Sequence, residues 1–530
     1  METKSRITRH ALAFWFGVIY ILAGVSCHLP DYISRHGEHF HLSGTPITRM
    51  MLFGMFLILA GIAATAYGLF PVRDAAKDAS NEFELRSMDN ARLSWSHWLL
   101  IIVLGVALVV DVMKPATLGF VLPGMRKEYG ISVKESALLP FVALIGTTIG
   151  SLVWGMLADR LGRRGSILLA SLIFISTGIC GCMPAFKWNL FMCLLMGMSA
   201  GGMLPIVFAL LAEMVPARHR GWLSVLVGGL GTSGGYLAAS GAAAWLEPLY
   251  SWRILWLLNV PTGFLVILLS RFIPESPRFL LHMGRIEEAA KTLARFDIKL
   301  VRTTLTKPPE VVKHSIQQLF RKPYAAATLA VCIYGVAWGL VNWGFVLMLP
   351  TIMQDFLGLN GAIANRLLAK SALIAVPGCV VVAWLYGFWS SKRTLVLFAI
   401  GTSAVLAGFS TVRSGADYNQ TLFSVLTVML LVGLSGMISM LPPYSVELYP
   451  TRLRATGGGL TASSSKLGGV LGPRAIAVVL TTFPGFMVPA LSLAVPLLIA
   501  AIALWLNGRE TSGRRLEEIH EVPAPAEAAR

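Results

Sequence analysis

Acidic residues are scarce in this 530-residue chain: 27 Asp and Glu stand against 44 Lys and Arg, and the four types together make up only 13%. A water-soluble domain carries about 25% charged residues, so an ordinary soluble globular protein is excluded. The six cysteines, Cys27, Cys180, Cys182, Cys193, Cys332 and Cys379, lie in or beside apolar runs with no zinc-type spacing. They read as small buried hydrophobes, not as metal ligands or a disulfide framework. No phosphate-binding glycine loop, nucleophile elbow or zinc-protease helix occurs, which removes the main motif-bearing enzyme classes; no cofactor and no metal are expected. Nor does a basic patch interleave with a soluble domain, so the net charge of +17 is not the footprint of a nucleic-acid binder.

What the chain has in abundance is hydrocarbon. Hydrophobic residues are 55% of it and its mean hydropathy is +0.68. Fourteen apolar runs, each near the length of about 20 residues that a bilayer requires, centre near residues 20, 60, 110, 147, 174, 200, 233, 262, 337, 377, 402, 431, 468 and 496. An even number of spans puts both termini on one side. On that side fall Lys4, Arg6, Arg9, residues 71–96, Arg160 to Arg164, Arg218, Arg220, residues 271–323, Lys392, Arg393, Arg452, Arg454 and Arg509 to Arg515. That face holds about 31 of the 44 Lys and Arg and the other about ten, which makes it cytoplasmic. The positive charge is a topology signal suited to an anionic inner leaflet. The first run, Ala11 to Leu29, follows a basic start, but Cys27-His28-Leu29-Pro30 is no small-residue cleavage site, so it reads as a retained anchor.

One short gap between runs reads Gly155-Met-Leu-Ala-Asp159-Arg160-Leu-Gly162-Arg163-Arg164. An aspartate and three arginines this near a bilayer must pair with neighbours or water, and such a cluster can latch helix ends together. The pattern resembles the signature loop between the second and third core helices of the major facilitator superfamily. An internal repeat points the same way. Gly202 to Arg220 aligns without a gap on Gly436 to Arg454, so that Glu213, Pro216, Arg218 and Arg220 coincide with Glu447, Pro450, Arg452 and Arg454 at a constant offset of 234. Phe120-Val-Leu-Pro123 and Leu347-Met-Leu-Pro350 form a softer echo at 227.

The resemblance implies an all-α membrane protein with twelve core helices in two six-helix halves and a central cavity between them. The domain plan that follows is an N-terminal two-helix hairpin over 1–70, a cytoplasmic tether over 71–96, a first half over 97–273, a linker over 274–323, a second half over 324–507 and a tail over 508–530. Each Glu-x-x-Pro-x-Arg-x-Arg closes a span at the cytoplasm, and two copies argue for a paired gate. In that gate Glu213 or Glu447 forms bidentate pairs with arginines such as Arg163, Arg220 or Arg454; a static helix-end staple is the plainer alternative. The second half answers the aspartate-arginine loop with Gly387-Phe-Trp-Ser390-Ser391-Lys392-Arg393, without the acid, so the two latches should differ in strength.

The linker opens Pro274-Glu275-Ser276-Pro277-Arg278-Phe279-Leu280 and continues Gly284-Arg285-Ile-Glu287-Glu288-Ala289. This resembles the branch holding sugar porters, synaptic-vesicle-type proteins, organic ion transporters and bacterial niacin or aromatic-acid symporters, over residues 97–507. By that resemblance Glu275 and Arg278 begin short helices that brace the inner gate; by itself, 284–296 is an amphipathic surface helix. The glutamine pair by which sugar porters bind hydroxyls is missing from Tyr334 to Pro350, which argues against a hexose. Gly228 to Gly235 lacks the Gly-Pro pair of drug–proton antiporters, which argues against an exporter, and its glycines also serve close packing.

Four charges lie within spans: Asp111 and Lys114 in the first core helix, Lys466 and Arg474 in the eleventh. A charge at mid-depth costs about 2.5–3.5 kcal/mol, so all four should face the cavity. Asp111 and Lys114 share a helix face and either neutralise each other or serve proton coupling. Lys466 and Arg474, about 80° apart and about 12 Å along the axis, have no obvious acid at their depth and suit an anion, with Asn342, Trp338 and Trp343 shaping the site. The expected partners are a small solute, a proton and the lipid bilayer, and the expected state a monomer in a plasma membrane, on balance a bacterial inner membrane. Proton-coupled symport of a carboxylate leads; a uniporter or exporter of the same fold and a transporter-like sensor are the alternatives. The outer loop of the hairpin, Cys27 to His41, holds four of the ten histidines and reads as a polar loop or, less simply, as a metal site.

Overall fold

In a computed structural model the apolar runs become fourteen long helices. Residues 11–70, 83–84, 92–298, 300–302, 316–413, 417–449, 451–483 and 485–511 are described; the basic start with Lys4, Arg6 and Arg9, most of the 71–96 tether, 303–315 of the linker and the tail from 512 lie outside them. The helices are α1 (Ala11–Ser26), α2 (Arg49–Leu69), α3 (Trp95–Tyr129), α4 (Leu138–Leu161), α5 (Arg163–Ser176), α6 (Phe186–Met214), α7 (Ala217–Tyr250) and α8 (Asn259–Leu269). After the linker follow α9 (Ala325–Gly339), α10 (Gly361–Ala375), α11 (Ser391–Phe409), α12 (Gln420–Leu448), α13 (Thr451–Thr482) and α14 (Met487–Asn507). Among the described residues, twelve of the helical stretches are long and apolar enough to cross a membrane. The other two, α7 with 34 residues and α13 with 32, are each about 50 Å long but carry glycine, serine and charge in place of continuous hydrocarbon. That is why hydropathy marks them least clearly.

The chain packs as two units. One holds Met1–Arg220, Leu230–Pro308 and Leu349–Leu373; the other holds Gly221–Gly229, Pro309–Met348 and Ile374–Arg530. Within each, helices approach through small residues, since lipid offers no hydrophobic drive for association and close backbone contact must supply it. In the first unit a Cβ on Gly197 would fall on the carbonyl oxygen of Ala143, and one on Gly150 on that of Met198, which fixes the α4–α6 crossing. The hairpin uses the same device: a Cβ on Gly24 would lie 2.6 Å from the Gly54 oxygen. In the second unit Gly339 and Gly468 seat α9 and α13 against each other, opposite Ser465 and Val336. Past Gly339, α9 widens into a π-helical stretch, Leu340–Val346, and continues as Leu347–Asp355; such widenings favour functional positions.

The hairpin is built into the first unit. Its helices pack on α5, its Tyr32 hydroxyl donates to the Tyr250 carbonyl at 2.6 Å, and its Gly44 amide donates to Pro184 at 3.2 Å. Two short helices, Pro277–His282 and Ile286–Ala294, form the start of the linker, the first capped by Ser276, whose hydroxyl accepts from the Phe279 amide. One addition to the all-helical expectation is a two-residue antiparallel ladder that pairs Phe83–Glu84 with Val301–Arg302 and so ties tether to linker. Gly197→Val forces overpacking at the α4–α6 contact and should cost about 1–3 kcal/mol. A lowered thermal midpoint of the detergent-solubilised protein checks this; an unchanged midpoint contradicts the contact.

Candidate functional site: two helix corners and two buried ion pairs

The α4–α5 corner turns at Gly162, whose φ of +84° suits glycine and whose missing side chain leaves room for Glu275: a Cβ there would lie 2.6 Å from the Glu275 carboxyl carbon. Glu275 Oε1 accepts from the Arg163 amide at 2.6 Å and the Arg164 amide at 3.4 Å. A carboxylate thus caps the first turn of α5, where free N–H groups and the helix dipole favour negative charge. The Arg163 side chain spans the corner, donating to the Ala158 carbonyl at 3.0 Å and reaching Glu213 Oε1 at 3.4 Å. Of the expected gate pairs, Glu213 with Arg163 is therefore formed. Arg220 donates to the Val215 carbonyl at 3.3 Å. Arg160, Arg218 and Arg278 are exposed, as is Gly155, where a Cβ would meet nothing within 4 Å. The side chains of Asp159, Arg452 and Arg454 lie outside the described ones.

In the second unit the matching corner, before α11, uses different chemistry. Ser390 caps α11, its hydroxyl accepting from the Arg393 amide at 3.0 Å. Glu510 accepts from the Ser391 amide at 3.0 Å, from the Ser391 hydroxyl at 2.6 Å and from the Ser390 hydroxyl. Glu447, the counterpart of Glu213, accepts from the Tyr386 hydroxyl at 2.8 Å and the Thr511 hydroxyl at 2.6 Å. Two hydroxyls thus meet the carboxylate that the repeat pairs with Glu213. Glu510 and Thr511 belong to no motif recognised in the sequence, although a signal existed: Glu275-Ser276 and Glu510-Thr511 are 235 residues apart, almost the repeat offset.

Within the spans, Lys114 Nζ lies 3.3 Å from Asp111 Oδ1 and 3.7 Å from the centre of the Phe174 ring, and both side chains are almost fully buried. The intrahelical pair forms as the spacing allows, and the aromatic face adds a cation–π contact. On α13, Lys466 is half-buried and Arg474 exposed. Asn342 and Trp343 sit in the π-helical stretch, with the Trp343 ring against Gly469, three residues from Lys466. Trp338 is committed elsewhere: its indole N–H donates to the Leu434 carbonyl at 2.9 Å.

Also in the first unit, a dense polar cluster surrounds Glu128 and Arg253, neither singled out by motif. Arg253, fully buried, donates from Nη2 to Glu128 Oε1 at 2.6 Å and from Nε to Oε2 at 3.2 Å, while Nη1 reaches the carbonyls of Gly181 at 3.0 Å and Met183 at 2.9 Å. Glu128 also accepts from the Trp252 indole at 2.9 Å and from the amides of Leu42 and Ser43 at 2.8 and 3.1 Å. Those last two bonds dock the hairpin loop. Its histidines are dispersed: His36 meets the Phe40 ring edge-on and His41 lies 3.8 Å from Glu128. Among the described residues no three His, Cys, Asp or Glu side chains gather as a metal site. Nearby, Arg126 pairs with Asp355 at 2.5 Å and Asn365 donates to Glu247 at 2.6 Å, joining the C-terminal ends of α3 and α7 to Asp355 and the start of α10.

Residues 99–473 match the family model of the Major Facilitator Superfamily. The niacin transporter NiaP of Acinetobacter baylyi is 26% identical over 440 residues, covering 82% of this chain and 98% of that protein. The gallate transporter of Pseudomonas putida is 27% identical, covering 83% and 97%, and the 4-hydroxybenzoate transporter PcaK of Acinetobacter baylyi is 27% identical, covering 79% and 93%. Among solved structures, the partially occluded inward-open xylose transporter XylE from E. coli superposes with a TM-score of 0.63 at 15% identity, over 79% of this chain and 99% of that one. At that identity the likeness is one of fold.

The buried pair yields a stability test. Arg253→Met leaves Glu128 uncompensated and should destabilise the protein by about 3–5 kcal/mol, while Glu128→Gln added to it should recover part of the loss. Thermal unfolding of the two variants checks the order; equal midpoints would refute the pairing.

Proposed function

The chain belongs to the major facilitator superfamily, a membrane transporter and not an enzyme, and from that premise we propose that it moves a small organic carboxylate together with a proton by alternating access. The observation that carries the reading is the buried Asp111–Lys114 pair at mid-helix in α3. An acid held there beside one cation can exchange its charge for a proton, and the cost of buried charge then links protonation to the state of the helix. The relatives named for niacin, gallate and 4-hydroxybenzoate support the solute class, since each of those compounds is an aromatic ring bearing a carboxylate.

In this reading Asp111 takes up the coupled proton, with Lys114 keeping its ammonium against Phe174. The solute's carboxylate meets Lys466 and Arg474, and Asn342 and Trp343 supply an amide and an aromatic face. Trp338, bonded to Leu434, buttresses α9. Moving one charge through 100 mV is worth about 2.3 kcal/mol; a proton carried with a monoanion cancels that term, so transport is electroneutral and driven by the proton and solute gradients. Arg163 with Glu213, and Glu447 with Tyr386 and Thr511, belong to the inner gate, braced by Glu275 and Glu510. We assign fourteen spans, six in each half plus the hairpin, with both termini on the cytoplasmic side of a bacterial plasma membrane, on the strength of the Lys and Arg distribution.

Proteoliposomes under an imposed pH gradient test the coupling with radiolabelled 4-hydroxybenzoate and niacin. Wild type should accumulate solute against its gradient, and Asp111→Asn should lose accumulation by about tenfold or more while retaining solute exchange. Accumulation that survives in Asp111→Asn removes the proton assignment. Equilibration without accumulation in wild type identifies a uniporter, and no movement a sensor.

A further inference from the structure

The outer contact between Glu247 and Asn365 contains a mismatch that a proton repairs. Asn365, 1% exposed near the start of α10, donates from Nδ2 to Glu247 Oε2 at 2.6 Å. Its Oδ1 is buried and has no partner among the described residues. An ionised carboxylate only accepts hydrogen bonds, so it matches the amide donor and leaves that carbonyl stranded. A protonated carboxyl matches both atoms: its carbonyl oxygen takes the N–H and its O–H donates to Oδ1, closing a two-bond acid–amide ring. Turning the amide by half a revolution gives the same answer, since Oδ1 would then face Oε2 at a separation that needs a hydrogen between them.

We propose that Glu247 is a positioning residue of the outer gate, which in its protonated form clasps Asn365 and holds the outer ends of α7 and α10 together. The proposal rests on alternating access, and not on the identity of the solute or on Asp111. Glu247 lines a cavity of about 470 Å³, which gives its carboxyl a path to water. Its proton comes from the outer medium as the clasp forms and returns there as it opens, so the stoichiometry of transport is unchanged. The charged and titratable groups lining that cavity are Lys127, Glu128, His39 and His41. Lys127 favours the ionised carboxylate and therefore opening, whereas Glu128 is committed to Arg253. The nearby Arg126–Asp355 pair joins α3 to the end of the Leu347–Asp355 helix without a proton. An acidic exterior thus favours the closed outer side, the direction a proton-driven importer requires once it is loaded.

Accessibility of the cavity from outside tests this. A cysteine placed at Ala362, on the cavity wall, is labelled in intact cells with a membrane-impermeant maleimide. Its rate is divided by that of Ser34→Cys, exposed on the hairpin loop, which removes the pH dependence of the thiol itself. Between about pH 8 and about pH 5 the ratio should fall by about fivefold or more. Glu247→Gln reproduces the two-bond ring without a proton and should keep the ratio low at both pH values, and Asn365→Leu should keep it high at both. A pH response that persists unchanged in either variant, or is absent from the parent, overturns the proposal, and the second variant decides if the first fails to accumulate. Because labelling needs neither solute nor gradient, its failure is distinct from failure of the uptake assay that tests proton coupling.

Discussion

An ionised side chain is poorly solvated by hydrocarbon, and the matching of each charge to a partner organises most of this molecule. Arg253 shows the principle at its fullest: its guanidinium is satisfied by a carboxylate, two backbone carbonyls and the Tyr129 hydroxyl. A buried pair of this kind adds little stability over a hydrophobic substitute. What it does is fix geometry. It sets the start of α8 against the end of α3, and through Glu128 it reaches the hairpin loop, so the two additional helices are held by the same charge that holds the first unit together.

Two helix corners, at the starts of α5 and α11, apply the rule in turn. At both corners a glutamate from beyond the last helix of its half, Glu275 or Glu510, caps the first turn of the third core helix of that half. That position suits a carboxylate because several unsatisfied N–H groups converge there. The second contact differs. Arg163 faces Glu213 as a charge pair, and at the other corner the hydroxyls of Tyr386 and Thr511 donate to Glu447.

The mid-depth residues divide by how firmly they are held. Lys114 is fixed by Asp111 and the Phe174 ring, and Trp338 by a backbone carbonyl. Asn342 and Trp343 instead occupy a widened helical stretch beside the closely packed α9–α13 contact. Rigid small-residue packing next to locally irregular helix is a combination suited to a binding surface, because the scaffold holds its position while the lining side chains adjust.

The sequence alone determined the membrane character, the places of the long apolar helices and the repeat that relates Glu213 to Glu447. Each of these follows from composition or periodicity along the chain, which hydrophobic burial and charge exclusion impose directly. The Asp111–Lys114 pair was legible for the same reason, being one helical turn apart. Only the tertiary structure decided which acid meets which donor: Glu275 lies 112 residues from Arg163, Glu510 119 from Ser391, Glu128 125 from Arg253 and Glu247 118 from Asn365. Pairs that distant carry no local period. They are set by how glycine-lined helices cross, and a shift of one residue in a crossing would bring a different side chain to each carboxylate.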